Sequence, residues 1–73
     1  METTLTIHRK LTLFDGTKYL TEYDNMYIFL PQQPSPKEII PYLTEEIEKG
    51  FTPIYYTIHT NGEEVLFSKI RVY

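Results

Sequence analysis

Two histidines, His8 and His59, are the side chains in this sequence best suited to moving a proton or holding a metal near neutral pH. Each falls in a stretch that reads as one strand of a β-hairpin. The second hairpin sets Glu64 opposite His59, so an imidazole–carboxylate pair can be drawn, and the two histidines could meet on one sheet face. A metal centre needs three or four ligands in fixed geometry. The chain has no cysteine and shows no third ligand at a recognisable spacing. Ordinary cross-strand contacts account for both rings.

Other candidates have equally plain explanations. Ser35 reads as a helix cap and Ser68 as a strand residue opposite Tyr55, and neither stands in a nucleophile elbow. The three glycines, Gly16, Gly50 and Gly62, fall at two turns and a helix end and build no phosphate loop. Glu45, Glu46 and Glu48 could pair as acid and base, but on an amphipathic helix they read as its solvated face. No catalytic, cofactor-binding or metal residue is assigned, and the expectation is a protein that is not an enzyme.

Charge narrows the partners. The formal net charge is −3. Six acids (Glu38, Glu45, Glu46, Glu48, Glu63, Glu64) lie between Lys37 and Glu64, and Arg9-Lys10 is the only basic pair. Duplex DNA binding depends on clustered cations that displace counterions, so it is not expected. An acidic helix imitating a phosphate backbone is a weak reading at this charge. No apolar run approaches the roughly 20 residues that cross a bilayer, and Met-Glu-Thr-Thr has no basic leader region. A soluble cytoplasmic protein without membrane contact is expected.

The composition is unusual in its seven tyrosines. Tyrosine brings a large apolar ring with a polar tip and is enriched in strands and at interfaces. A stacking platform for single-stranded nucleic acid is one use for such rings. That mode normally adds a basic groove, which Arg9, Lys10, Lys18, Lys69 and Arg71 would have to supply. A protein partner is the simpler reading.

The elements that must position these residues follow from periodicity and turn chemistry. Seventy-three residues make one small α+β domain spanning 1–73. Leu5, Ile7, Leu11 and Leu13 alternate, with Arg9 interrupting, as in a half-buried strand. Asp15-Gly16 then predicts a two-residue type I′ turn. That register sets Phe14 against Thr17, Thr12 against Tyr19, Leu11 against Leu20, Arg9 against Glu22 and His8 against Tyr23. Asp24-Asn25 suggests a bend or a bulge, with Met26–Leu30 either a short third strand or a continuation of the second.

Ser35-Pro36-Lys37-Glu38 marks a helix start, and Gly50 a helix end. Pro41 either kinks that helix or begins it. Pro53 argues for an edge strand or an initial position. Asn61-Gly62 predicts a second type I′ turn. It pairs His59 with Glu64, Ile58 with Val65, Tyr56 with Phe67, Ile54 with Lys69, Thr57 with Leu66, Tyr55 with Ser68 and Pro53 with Ile70.

The expected fold is therefore an antiparallel sheet of four to five strands, ββ(β)αββ, with a single helix packed on one face. The helix side should hold Leu5, Ile7, Leu11, Leu13, Leu20, Ile54, Tyr56, Ile58, Val65 and Phe67, with Ile40, Leu43 and Ile47 packing down. The uncovered face should hold His8, Thr12, Tyr19, Tyr23, Tyr55, Leu66, Ile70 and Val72. Such a face is too apolar for plain solvent surface and calls for a partner. The chain is expected to dock a larger protein, or a second copy of itself as a homodimer, through that face or an edge strand. The contact residues are expected to be Tyr19, Tyr23, Tyr55, Ile70 and His8.

Overall fold

The computed structural model describes residues 2–70, so Met1 and Arg71, Val72 and Tyr73 lie outside the described residues. The chain forms β1 (Thr3–Phe14), β2 (Tyr19–Leu30), α1 (Pro36–Glu48), β3 (Thr52–Thr60) and β4 (Glu63–Lys69). The four strands make one antiparallel sheet in the order β2-β1-β3-β4. The α+β class is as expected, and the four strands among the described residues fall within the expected four to five. No helix among the described residues is long and apolar enough to cross a membrane.

Met26–Leu30 continues β2, which runs unbroken through Asp24-Asn25. Those two residues do not bend the chain because their side chains find partners across the strand pair. Asp24 accepts from Arg9 and Asn25 from His8.

The first turn differs from expectation. Residue 15 pairs with residue 18 through the Asp15 N–H to Lys18 C=O bond of 3.1 Å, so the connection takes four residues, 15–18. A type I′ turn needs positive φ at both central residues, and Asp15 is not among the residues with positive φ. Its carboxylate instead accepts from the Thr17 N–H (3.0 Å), the Lys18 N–H (2.9 Å) and the Thr17 hydroxyl (2.9 Å). Those bonds, the one from Lys18 foremost, hold the carboxyl below its ordinary 3.8. The register slides by two residues: Phe14 faces Tyr19, Leu13 faces Leu20, Arg9 faces Asp24 and His8 faces Asn25. A slide of two leaves every side chain on its expected face.

The second turn is as expected. Asn61 (φ 53°) and Gly62 (φ 83°) supply the two positive angles, and His59 faces Glu64. One residue further a bulge leaves Val65 out of the ladder. Ile58 then faces Leu66, Thr57 faces Phe67, Tyr56 faces Ser68 and Tyr55 faces Lys69. A slip of one flips the faces: Leu66 packs against the core, while Val65 and Phe67 are exposed. The Ile70 N–H bonds the Ile54 C=O. β3 is central, and Pro53 is its second residue. A register break opposite His8 and Arg9 accommodates a residue without an N–H there.

Helix α1 runs through Pro41 without division. The Glu38 carboxylate accepts the Ser35 N–H at 3.2 Å, the expected closing of the first turn. At the other end the Gly50 N–H bonds Ile47 C=O and the Phe51 N–H bonds Glu46 C=O, with Gly50 at φ 97°. This is a Schellman ending, and it delivers Phe51 back to the sheet. Pro41 removes one helical bond, to the Lys37 carbonyl, at an exposed site where water can serve that oxygen. Pro41→Ala is expected to raise stability by about 1–2 kcal/mol in a urea melt followed by circular dichroism. An unchanged or lower midpoint would show that the ring is favourable where it stands.

The core is small: Leu5, Ile7, Ile39 and Ile58, with Met26, Ile28, Leu30, Tyr42, Leu43, Tyr56 and Leu66 packed around it. The helix presents the stripe through Ile39, Leu43 and Glu46, whereas Ile40 and Ile47 are exposed. The stripe is rotated from the expected one because Glu46 is drawn inward to an arginine.

Candidate functional site

The sheet face opposite the helix is uncovered, and its centre is a row of rings that crosses all the strands. Alternation from the buried Leu5 and Ile7 places His8, Lys10, Thr12 and Phe14 on this face. The ladders bring Tyr23 from β2, Tyr55 from β3 and Phe67 from β4 beside them. His8 stacks on Tyr55 at 4.6 Å between centroids and 19° between planes. It stacks on Tyr23 at 6.1 Å and 13°. Tyr55 meets Phe67 at 5.0 Å and 38°. Each contact lies within the range where aromatic pairs add to simple burial.

His8 is held in place as well as stacked. Its Nδ1–H donates to Asn25 Oδ1 at 2.6 Å, which sets the tautomer, and Asn25 Nδ2 lies 3.4 Å from the Tyr27 hydroxyl. The ring faces of His8 are therefore turned to the rings of Tyr23 and Tyr55, while Tyr23 and Phe67 at the two ends of the row stay exposed.

Of the sequence-predicted contact residues, His8, Tyr23 and Tyr55 come together. Tyr19 lies on the same face but at the hairpin tip, packed on Phe14 at 5.0 Å and 74% exposed. Ile70 follows Lys69 past the end of β4, half-buried, and alternation turns it away from the ring row. Phe67 is the member that sequence reasoning misplaced, since nothing in Glu64-Val65-Leu66 announces the bulge. Tyr27 and Phe29, exposed on β2, were also missed. Their alternation with Met26, Ile28 and Leu30 is a signal that could have found them.

The two histidines do not meet. His8 lies beside Tyr55 and His59 beside Thr4, about 13 Å apart along the strands at the usual rise per residue. No cluster of three or more His, Cys, Asp or Glu side chains suited to a metal occurs among the described residues. A depression of about 240 Å³ lies at the opposite end of β1 and β2 from the hairpin tip, lined by Glu2, Thr3, Phe29, Leu30 and Pro31. It brings together no acid–base pair.

Arg9 organises the covered side. Its Nε donates to Asp24 Oδ1 at 2.7 Å, its Nη1 to Glu46 Oε2, and its guanidinium lies 3.7 Å above the Phe51 ring. One side chain thus ties β1 to β2, to α1 and to the segment that the helix cap returns. Glu46 is 1% exposed and belongs to the core rather than to the solvated helix face. The signal was present: Glu46 follows Ile39 by seven residues on the same helical stripe. Asp24's hydrogen bond, then Glu46, raises the arginine above its ordinary value, and Arg9 holds the Asp24 carboxyl below 3.8. Comparison with protein-family models, with curated proteins and with solved structures finds no match to this chain.

Proposed function

We propose that this chain is a non-enzymatic binding module that regulates a larger protein by docking it through the ring row of the open sheet face. The observation that carries this reading is the continuous row of ring contacts Tyr23–His8–Tyr55–Phe67 across four strands, with no helix over it. A row of rings already held by neighbours loses little side-chain freedom on binding, and aromatic anchors of this kind dominate interface energetics. Lys10 and Lys69 flank the row, while most acids lie on the helix side or at the hairpin ends. An apolar partner surface with an acidic rim fits this face best. The same reading places the module in the cytoplasm, with no cofactor.

The test is affinity capture from the native host with the wild-type chain and with Tyr23→Ser and Tyr55→Ser. Each substitution is expected to weaken the captured complex about 10- to 100-fold. Equal capture by both variants would remove the ring row from the account. Binding of oligo-dT at low salt that falls steeply as salt is added would favour a single-stranded nucleic-acid partner instead.

A further inference from the structure

The molecule is long for its mass. Its principal extents are 48 × 22 × 17 Å and its radius of gyration is 13.7 Å, against about 11 Å for a compact chain of this length. The cause is local. β3 pairs with β1 only over residues 3–10, so residues 11–22 project as a two-stranded arm. The arm is apolar on both faces, with Leu13 opposite Leu20 on one and Phe14 opposite Tyr19 on the other. The accessible surface is 5477 Å², roughly 700 Å² more than a compact folded monomer of this mass exposes. A standard interface hides about 800 Å² per partner.

We propose that the β2 edge pairs with the β2 edge of a second copy of this chain, antiparallel about a two-fold axis at Asn25. The two four-stranded sheets then join into one continuous sheet, and each arm lies along the body of the other copy. This goes beyond the ring-row reading and does not depend on it.

Three observations select this pairing. The first is the edge itself. β2 is an unbroken strand of 12 residues at the sheet edge, with no proline, lysine or arginine to guard it. β4, the other edge, has seven residues, a bulge and a lysine.

The second is the direction of the backbone groups. The Asp15 N–H to Lys18 C=O bond sets the alternation of the first ladder. The Asn61 N–H to Glu2 C=O bond, on the β3 side of β1, agrees with it. Tyr19, Thr21, Tyr23, Asn25, Tyr27 and Phe29 therefore present their N–H and C=O groups outward. An axis at Asn25 matches outward groups with outward groups and makes about ten hydrogen bonds.

The third is charge. β2 carries two acids, Glu22 and Asp24. An axis at residue 22, 23 or 24 sets a carboxylate directly against a carboxylate, which is unfavourable. An axis at Asn25 sets Glu22 against Ile28 and Asp24 against Met26. It also sets Tyr23 against Tyr27 and Leu20 against Leu30, which covers the arm. Moving the axis to Met26 keeps the acids apart but shortens the overlap.

Sedimentation equilibrium from micromolar to millimolar concentration tests this on the full chain. The wild type is expected at twice its 8.7 kDa mass. Asn25→Lys and Asn25→Asp each set a charge against its own copy on the axis. Each is expected to weaken the dimer about two- to fivefold, with circular dichroism unchanged. An equimolar mixture of the two is expected to recover the dimer as a heterodimer. Tyr55→Ser, away from this edge, is expected to stay dimeric, so failure of the ring-row reading and failure of this one are told apart. A wild type that stays monomeric at millimolar concentration overturns the proposal. So do single variants as tightly dimeric as the wild type, or a mixture no tighter than either variant alone.

Discussion

Arg9→Ala is expected to destabilise the fold by about 3–5 kcal/mol, because it leaves Glu46 buried with no counter-charge. A single core in a domain this small supplies about that much in total, so the variant should be largely unfolded at room temperature. The Arg9–Glu46 pair is not stabilising merely because it is an ion pair. Desolvating two charges offsets much of their attraction, and apolar pairs of similar volume often do as well. Arg9→Met/Glu46→Leu is therefore expected within about 1 kcal/mol of the wild type, or above it. Urea melts followed by circular dichroism or tyrosine fluorescence read this directly, as the chain has no tryptophan. A single variant as stable as the wild type would show that Glu46 turns out to water at little cost.

Asp24 gives the same experiment a pH signature. Its folded-state affinity for protons is lowered by Arg9. Its contribution is then fully present above its unfolded value near 3.8 and is lost as pH falls through the lower folded value. The double variant, which lacks the guanidinium, should lose that part of the acid limb of the stability curve.

The second large effect is expected at the base of the sheet. Ile58 is fully buried on β3 among Leu5, Ile7 and Ile39. Ile58→Ala is expected to cost about 2–5 kcal/mol, through lost burial and the cavity left behind. Leu13→Ala on the arm, a similar change in chemistry, should cost less than about 1 kcal/mol, because that side chain is 43% exposed. Hydrogen exchange should show the same division. Amides of residues 3–10 and 52–60 should open only with global unfolding, and those of residues 11–22 more readily. Equal costs at the two sites, or equal protection along β1, would mean that the arm is packed as tightly as the base. Dimerisation through β2 would raise arm protection with protein concentration, so the exchange measurement belongs in the dilute limit.

The elements were legible in the sequence where local chemistry is sufficient to define them. Ser35-Pro36 and Gly50 bracket the helix, Asn61-Gly62 makes its turn, and the alternation of Leu5 and Ile7 marks the inward row, because each depends on neighbours within a few residues. His8, Tyr23 and Tyr55 could be assigned to one face for the same reason: alternation along a strand is local. Tertiary structure decided the register, and with it the composition of the site. Asp15 could have served a type I′ turn, but its carboxylate capped a four-residue loop instead. That slid the hairpin by two residues and handed Arg9 from Glu22 to Asp24. The bulge at Val65 flipped Phe67 into the ring row and Leu66 into the core, an outcome set by which residue the helix and β3 could bury. Glu46 went inward because Arg9 stood in the apolar row 37 residues before it, a separation over which strand and helix periodicity carry no information. The sequence by itself determined that two hairpins and one helix would leave an aromatic sheet face uncovered. Long-range pairing, which depends on the whole packed core, decided which rings meet there and left the β2 edge open.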